Sequence, residues 1–372
     1  MRFVFWQNCL SPHQLPYIVH LMDDEKVDEV IVVSDCAVEE RRKQMGWNVL
    51  NIPLMEQCQI ILQPTAALVD KLLQERTKDS IHLFSGIRAF RFIYDVFRQS
   101  LKYPLRRGLI TERPNTYAKG CYNGKPLWLH KLRFYLQDYQ YIPFIDCIFA
   151  IGEECVNYYQ SLSKQWKVFP FCYCTYNPIP NHKTVSYHLI KFIFIGRLIK
   201  LKGVLTLLQA INNITTSEDY ELTIVGDGPE TSRLHQYIHD NQVEHVRFLG
   251  TISNEQIPSL LQEHDILILP SIYDGWGAVV NEALMQGKYV ICSNQCGAKA
   301  LLKNSMNGSI FKGGNYKELA NQMQYCINNI SIIRNQDAQR KKWANECISG
   351  KAIAKYMIDC LNGKPTKTPW IE

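Results

Sequence analysis

Two carboxylates with seven residues between them, Asp274 and Glu282, bracket the run Asp274-Gly275-Trp276-Gly277-Ala278-Val279-Val280-Asn281-Glu282. The first sits in a glycine-rich loop and the second in a helix read from about Ala278 to Gln286. Gly275 and Gly277 leave backbone N–H groups open where that helix begins, and a helix start is electrically positive. N–H groups so placed suit a pyrophosphate, and flanking carboxylates suit the hydroxyls of a ribose or a sugar. A helix-start acid with an unrelated surface glutamate would use the same residue types, but it would not gather every piece after one strand.

Two further loops offer the complementary groups. Gly196-Arg197-Leu198-Ile199-Lys200-Leu201-Lys202-Gly203 places two cations, Arg197 and Lys202, beside a helix start, where they neutralise a diphosphate or stand as solvated surface charges. Gly226-Asp227-Gly228-Pro229-Glu230 lets a ligand approach bare backbone at Gly226 and Gly228, with Pro229 suited to a first helical turn. It reads equally as a plain strand-to-helix turn.

All three loops follow strands. Short apolar runs at Lys191–Gly196, Glu221–Gly226, Val246–Gly250, Asp265–Pro270 and Lys288–Cys292 alternate with helical stretches, which predicts a parallel sheet with helical crossovers. Ligands of such sheets bind beyond the carboxyl ends of the strands, so the three loops share one edge. The first half alternates in the same way, with strands at Arg2–Trp6, Glu29–Val33, Ile81–Ser85, Gly108–Thr111 and Asp146–Ile151. Helices are expected near 11–22 and 60–75, and a loop over Pro114–Pro126. The proline-bearing stretch Phe169–Asn181 reads as the junction.

In this order and at these intervals, the three loops resemble the retaining glycosyltransferases of family 4. That pattern has a Gly-Arg…Lys-Gly loop, a Gly-x-Gly-Pro turn and a Glu-x7-Glu element around Gly-Phe-Gly, and the stretch from Cys296-Gly297 to Asn307-Gly308 also fits. The likeness is strong over about 190–325 and rests on strand order in the first half. It implies the GT-B fold, α/β with two Rossmann-like domains whose parallel sheets face each other across a cleft. Residues 1–175 would bind the acceptor, 176–340 the nucleotide sugar, and 341–372 would carry a helix back to the first domain. By the same resemblance Arg197 and Lys202 would hold the leaving diphosphate, Glu282 the ribose hydroxyls and Asp274 the donor sugar. Gly196, Gly226 and Gly228, with Gly275, Trp276, Gly277, Ala278 and Val279, would line the donor, and Leu249 and Thr251 would lie near the base. The reaction would retain anomeric configuration by front-face attack within an ion pair.

The chain departs from the pattern in two places. Asp274 stands where the family more often has glutamate, a carboxylate one methylene shorter. The glycine-rich loop expected after the first strand is replaced by Gln7-Asn8-Cys9-Leu10-Ser11-Pro12-His13-Gln14. There His13 and Gln14 are read either as acceptor-side contacts or as a helix-start turn. Glu112, after the strand at 108–111, is read as a cleft contact or as a partner of Arg113. His82 is read as structural.

Composition narrows the class. Of 372 residues 46% are hydrophobic and 20% charged, which fits two globular domains and excludes wholesale disorder. The 13 cysteines include no Cys-x-x-Cys pair, so they read as buried thiols in a reducing compartment. Met1–Asn8 turns polar too soon for a secretory leader, and no run reaches the ~18 apolar residues of a membrane span. A soluble cytoplasmic protein is expected. No Asp-x-Asp occurs, so no metal and no cofactor beyond the nucleotide-sugar co-substrate is expected. The net charge of +6 is uneven: between Gly86 and Tyr135 eleven cations face only Asp95 and Glu112, a local +9. The stretch Lys125–Tyr135 mixes cations with aromatics, as an anionic membrane or a phosphorylated acceptor would require, or as a core-facing helix with a solvated side would. No nucleic acid is expected as partner. A glycan or lipid-linked acceptor in bacterial surface polysaccharide synthesis is the reading preferred. A nucleotide-sugar epimerase and a non-catalytic nucleotide-sugar-binding protein are the rivals, separable by a donor-hydrolysis and transfer assay.

Overall fold

The structure, a computed structural model, describes residues 1–43, 55–114, 126–176, 189–364 and 367–371. The expected loop at 114–126 and the later part of the expected junction fall mostly outside those residues.

The first sheet contains β1 (Arg2–Cys9), β2 (Glu29–Cys36), β3 (Gln59–Leu62), β4 (Ser80–Phe84), β5 (Arg106–Glu112), β6 (Cys147–Ile151) and β7 (Lys167–Phe171), in the order β3-β2-β1-β4-β5-β6-β7. The second contains β8 (Ile190–Ile195), β9 (Tyr220–Val225), β10 (Val246–Gly250), β11 (Ile266–Leu269), β12 (Tyr289–Ser293) and β13 (Gly308–Phe311), in the order β10-β9-β8-β11-β12-β13. Every neighbouring pair is parallel. Strand side chains alternate between faces, and β1 shows it: Phe3 and Phe5 enter one core cluster, Val4 and Trp6 the other. Helices cover both faces, which is why the central strands are apolar nearly throughout. Strand order reverses between β1 and β4 in the first sheet and between β8 and β11 in the second, and each reversal opens a crevice at the carboxyl ends.

Three expectations change. The apolar run near 60 is a strand, Gln59–Leu62, and the helix begins only at Ala66, where Thr65 accepts from Leu68 N–H at 3.3 Å. Phe169 and Pro170 do not belong to a linker: they lie in β7, an edge strand, where a missing N–H is tolerated. The cations of 86–135 do not all reach the surface. Arg107 is buried, donating to the Leu105 carbonyl at 2.7 Å and the Ser100 hydroxyl at 2.9 Å, and Arg88 pairs with Asp138.

His82 lies in the core, accepting from the Trp6 indole at 3.1 Å, and burial lowers its pKa to about 3. The final helix, Gly350–Leu361, capped by the Ser349 hydroxyl, packs on the first domain against Leu15–Val19. Among the described residues no helix is long and apolar enough to cross a membrane.

Gly350 permits that docking, because a Cβ there would overlap the Pro16 carbonyl. Gly350→Val is expected to destabilise the chain by about 1–3 kcal/mol, read as a shift in the urea midpoint. An unchanged midpoint would mean that the tail helix does not press on the first domain.

Candidate functional site

Because β9, β8, β11 and β12 are neighbours in the second sheet, the loops that leave them lie side by side. The backbone ties them together. Leu198 N–H donates to the Asp227 carbonyl at 3.0 Å, joining the first loop to the second. Ile272 N–H donates to the Leu201 carbonyl at 2.8 Å, joining it to the third. Such contact leaves no room for side chains: a Cβ at Gly203 would overlap the Pro270 carbonyl, and one at Gly226 the Gly196 carbonyl. Both glycines also have positive φ, +67° and +124°.

The third loop is held from behind by the residues after β12. Asp274 bridges to Cys296, Gly297 N–H donates to the Asp274 carbonyl at 3.2 Å, and Ala298 N–H to the Trp276 carbonyl at 2.8 Å. These bonds use carbonyls and leave the donors. Among the described residues, no backbone carbonyl accepts from the N–H groups of Gly275, Trp276, Gly277 or Ala278. Those donors lie where the helix Val279–Met285 begins.

Into this frame project the charged groups. Lys202 Nζ meets Asp274 Oδ2 at 2.5 Å, joining the first loop to the third. Burial disfavours the Lys202 ammonium, but the Asp274 charge outweighs it and the pKa ends above the usual lysine value. Arg197 is half-exposed and forms no ion pair with a described residue. Glu282 lies one helical turn beyond the open N–H groups. Leu249 and Thr251 are exposed at the end of edge strand β10, and the Gly250 carbonyl between them accepts from Gly226 N–H at 2.7 Å. Trp276 is placed differently from its neighbours: its indole is buried and donates to Asn281 Oδ1 at 2.7 Å, so only its backbone faces the loop.

The first domain closes over this edge. A Cβ at Gly275 would overlap the Glu112 carboxylate, which therefore sits against the loop's backbone. Glu112 accepts from the Tyr173 hydroxyl at 2.9 Å. Burial raises its pKa, the Tyr173 bond opposes the rise, and the Asp274 charge adds to it. No ion pair with Arg113 forms; that guanidinium lies over the Tyr273 ring at 5.4 Å. His13 lies beside the Tyr173 ring at 6.3 Å, and burial with the nearby Arg42 charge lowers its pKa to about 4. Gln14 is committed elsewhere, accepting from Gln7 at 2.7 Å inside the domain. A cavity of about 20 Å³ remains between the domains, bordered by Arg113, Glu154, Asp274, Gly275 and Gln295. That is room for about one water.

Sequence reasoning passed over Tyr173, Asn281 and Arg42. Tyr173 orients Glu112, and its carbonyl accepts from Asn281 Nδ2 at 2.8 Å across the domains. Arg42 follows β2, whose carboxyl end runs to Cys36 rather than Val33. Tyr173 and Arg42 lie two and six residues beyond strand ends that the sequence reading did not place, so a full strand assignment was the missing signal for them; Asn281 lies in the helix after β11, and its inward turn has no local signal.

The comparisons agree with this geometry. Residues 185–346 match the family model described as glycosyl transferases group 1. An uncharacterised glycosyltransferase of Methanocaldococcus jannaschii is 24% identical over 163 residues, 42% of this chain and 45% of that protein. The N-acetyl-alpha-D-glucosaminyl L-malate synthase of Bacillus anthracis is 28% identical over 181 residues, 46% of this chain and 47% of that one. The matched stretches thus span less than half the length of these curated relatives. Anabaena HepE, solved in complex with UDP, superposes with a TM-score of 0.68 at 17% identity, covering 98% of this chain and all of that one. The likeness runs through both sheets, and the fold is GT-B.

Glu282 gives the second domain a measurable pH response. Burial raises its pKa to about 8 from 4.5, with no cation among the described residues to oppose it. Between those values the folded chain keeps a proton that the unfolded chain has released. Stability therefore falls as pH rises through that interval. Glu282→Gln is expected to flatten the fall, read by urea denaturation at roughly pH 5 and pH 8. Identical slopes in both proteins would show that Glu282 is not held in its neutral form.

Proposed function

We propose that the protein is a retaining glycosyltransferase. It moves a sugar from a nucleoside-diphosphate sugar to a glycan or lipid-linked acceptor in surface polysaccharide synthesis, without a divalent metal. The observation that carries this is the meeting of Lys202 and the open Gly275–Ala278 N–H groups at one strand edge, with Asp274 bridging the two loops. The family-model match over residues 185–346 and the GT-B fold support it.

In this reading the diphosphate binds between the Arg197–Lys202 loop and the N–H groups of the third loop. Departure of the nucleotide breaks the bond from the anomeric carbon to the phosphate oxygen and leaves negative charge on the diphosphate. Fixed cations and oriented N–H donors stabilise charge that develops in place, the role a metal fills where an Asp-x-Asp motif holds one. The acceptor hydroxyl attacks from the face the diphosphate is leaving, and its proton passes to the departing phosphate oxygen. A new carbon–oxygen bond forms with the configuration kept. Asp274 orients Lys202 and contacts the donor sugar, and Glu282 binds the ribose hydroxyls. Glu112, with His13 behind it, borders the site from the acceptor side.

Lys202→Ala and Arg197→Ala are each expected to lower kcat/KM by about 100-fold or more; Arg197→Ala should leave the thermal midpoint nearly unchanged, and Lys202→Ala should lower it by leaving Asp274 unpaired. Near-normal turnover in both would end the assignment. Transfer should continue in excess chelator, and NMR of the product should show the donor's anomeric configuration. Loss of turnover on chelation, or an inverted product, would overturn the metal-free or the retaining part respectively.

A further inference from the structure

The helix Leu127–Gln137 exposes apolar side chains that none of the described residues covers. Its inner side is pinned by Phe134, which is buried edge-on to Trp166 at 5.5 Å. Its outer side presents Trp128, Leu132 and Leu136, 62%, 47% and 76% exposed, at four-residue spacing, and Tyr139 continues the line at 57%. Residues spaced so lie above one another on one helix face. A soluble surface scatters such residues; a contiguous stripe marks a contact.

Charge selects the partner. Arg133 is exposed on the same helix, and Lys131 is half-exposed beside it. Arg88 donates to the Gln137 carbonyl at 3.0 Å, which holds the loop carrying exposed Phe90 and Arg91 against the helix end. Arg98 lies over Tyr94, whose hydroxyl meets that of Tyr141 at 3.2 Å. The carboxylates here are Asp138, paired with Arg88, and Asp95, beside Arg91 at 3.7 Å. Five cations thus frame the stripe against two carboxylates. A second copy of this face would set those cations against their own kind. An anionic lipid surface takes both the stripe and its frame.

We propose that this face docks the protein on a membrane rich in anionic phospholipid, with Trp128, Leu132 and Leu136 in the headgroup layer. The helix connects β5 to parallel β6, so it starts on the side of the sheet where β5 ends, the side on which Glu112 meets the third loop. The Trp128 end therefore lies on the cleft side of the acceptor domain, and a lipid-linked acceptor would enter from the membrane plane. This deepens the transferase reading, but the binding itself does not depend on it.

The test is flotation of the full chain with vesicles of phosphatidylcholine alone and of phosphatidylcholine with phosphatidylglycerol. Binding is expected only to the anionic vesicles, weakening as salt rises, and falling at least about tenfold in Trp128→Ala/Leu136→Ala. Arg91→Glu/Arg133→Glu should lose it as well. These side chains are exposed, so the variants should keep the wild-type thermal midpoint and its shift with added UDP. No flotation, equal binding to both vesicles, or wild-type binding by the Trp128/Leu136 variant would overturn the proposal. So would a monomer–dimer equilibrium that Trp128→Ala abolishes, since a second copy would then cover the face. Failure of UDP, GDP, ADP, CDP and dTDP alike to shift the midpoint, with flotation intact, would count against the transferase reading alone.

Discussion

Between the ends of β8 and β11 two backbones run close enough for Ile272 N–H to reach the Leu201 carbonyl, with only a glycine, Gly203, where they touch. The same close approach recurs at Gly226 against Gly196, at Gly228 against Leu198, and at Gly297 against Gly275. Each removes a side chain from a place where one would force the loops apart. The loops therefore behave as one rigid edge, and an edge made of backbone offers many N–H groups in fixed directions. Fixed donors stabilise charge without reorganising, which is the property a group-transfer site requires.

The site is electrically balanced by its own residues. Lys202 faces Asp274, so neither is an isolated charge in a half-buried setting, where such a charge would be costly. Glu112 enters from the other domain and adds a second acid to the same small volume, and its raised pKa reflects burial and that crowding. In the proposed reading, a diphosphate would bring Lys202 the negative charge that Asp274 already supplies.

Much of this was legible in the chain because the deciding elements are central. The inner strands of both sheets are buried on two faces and read as dense apolar runs, and all of them were found from sequence. The strands missed, β3, β7 and β13, are all edges: short, partly exposed, and in β7 interrupted by Pro170. The glycine loops were legible because their residue types have few other uses. Side-chain direction was not. Trp276 lies in the richest stretch of the site, yet its indole turns inward to Asn281, and Gln14 turns inward to Gln7. Sequence spacing places a residue on a loop; which side it faces depends on distant partners. Tyr173 illustrates the converse, since its tie to Glu112 spans 61 positions.

The polypeptide passes between the two sheets twice, once after β7 ends at Phe171 and again where Cys347 gives way to the Gly350 helix docked on Leu15–Val19. The return crossing seats the chain's last helix on its first, so the wall from which Glu112 meets Gly275 is built from both ends of the polypeptide.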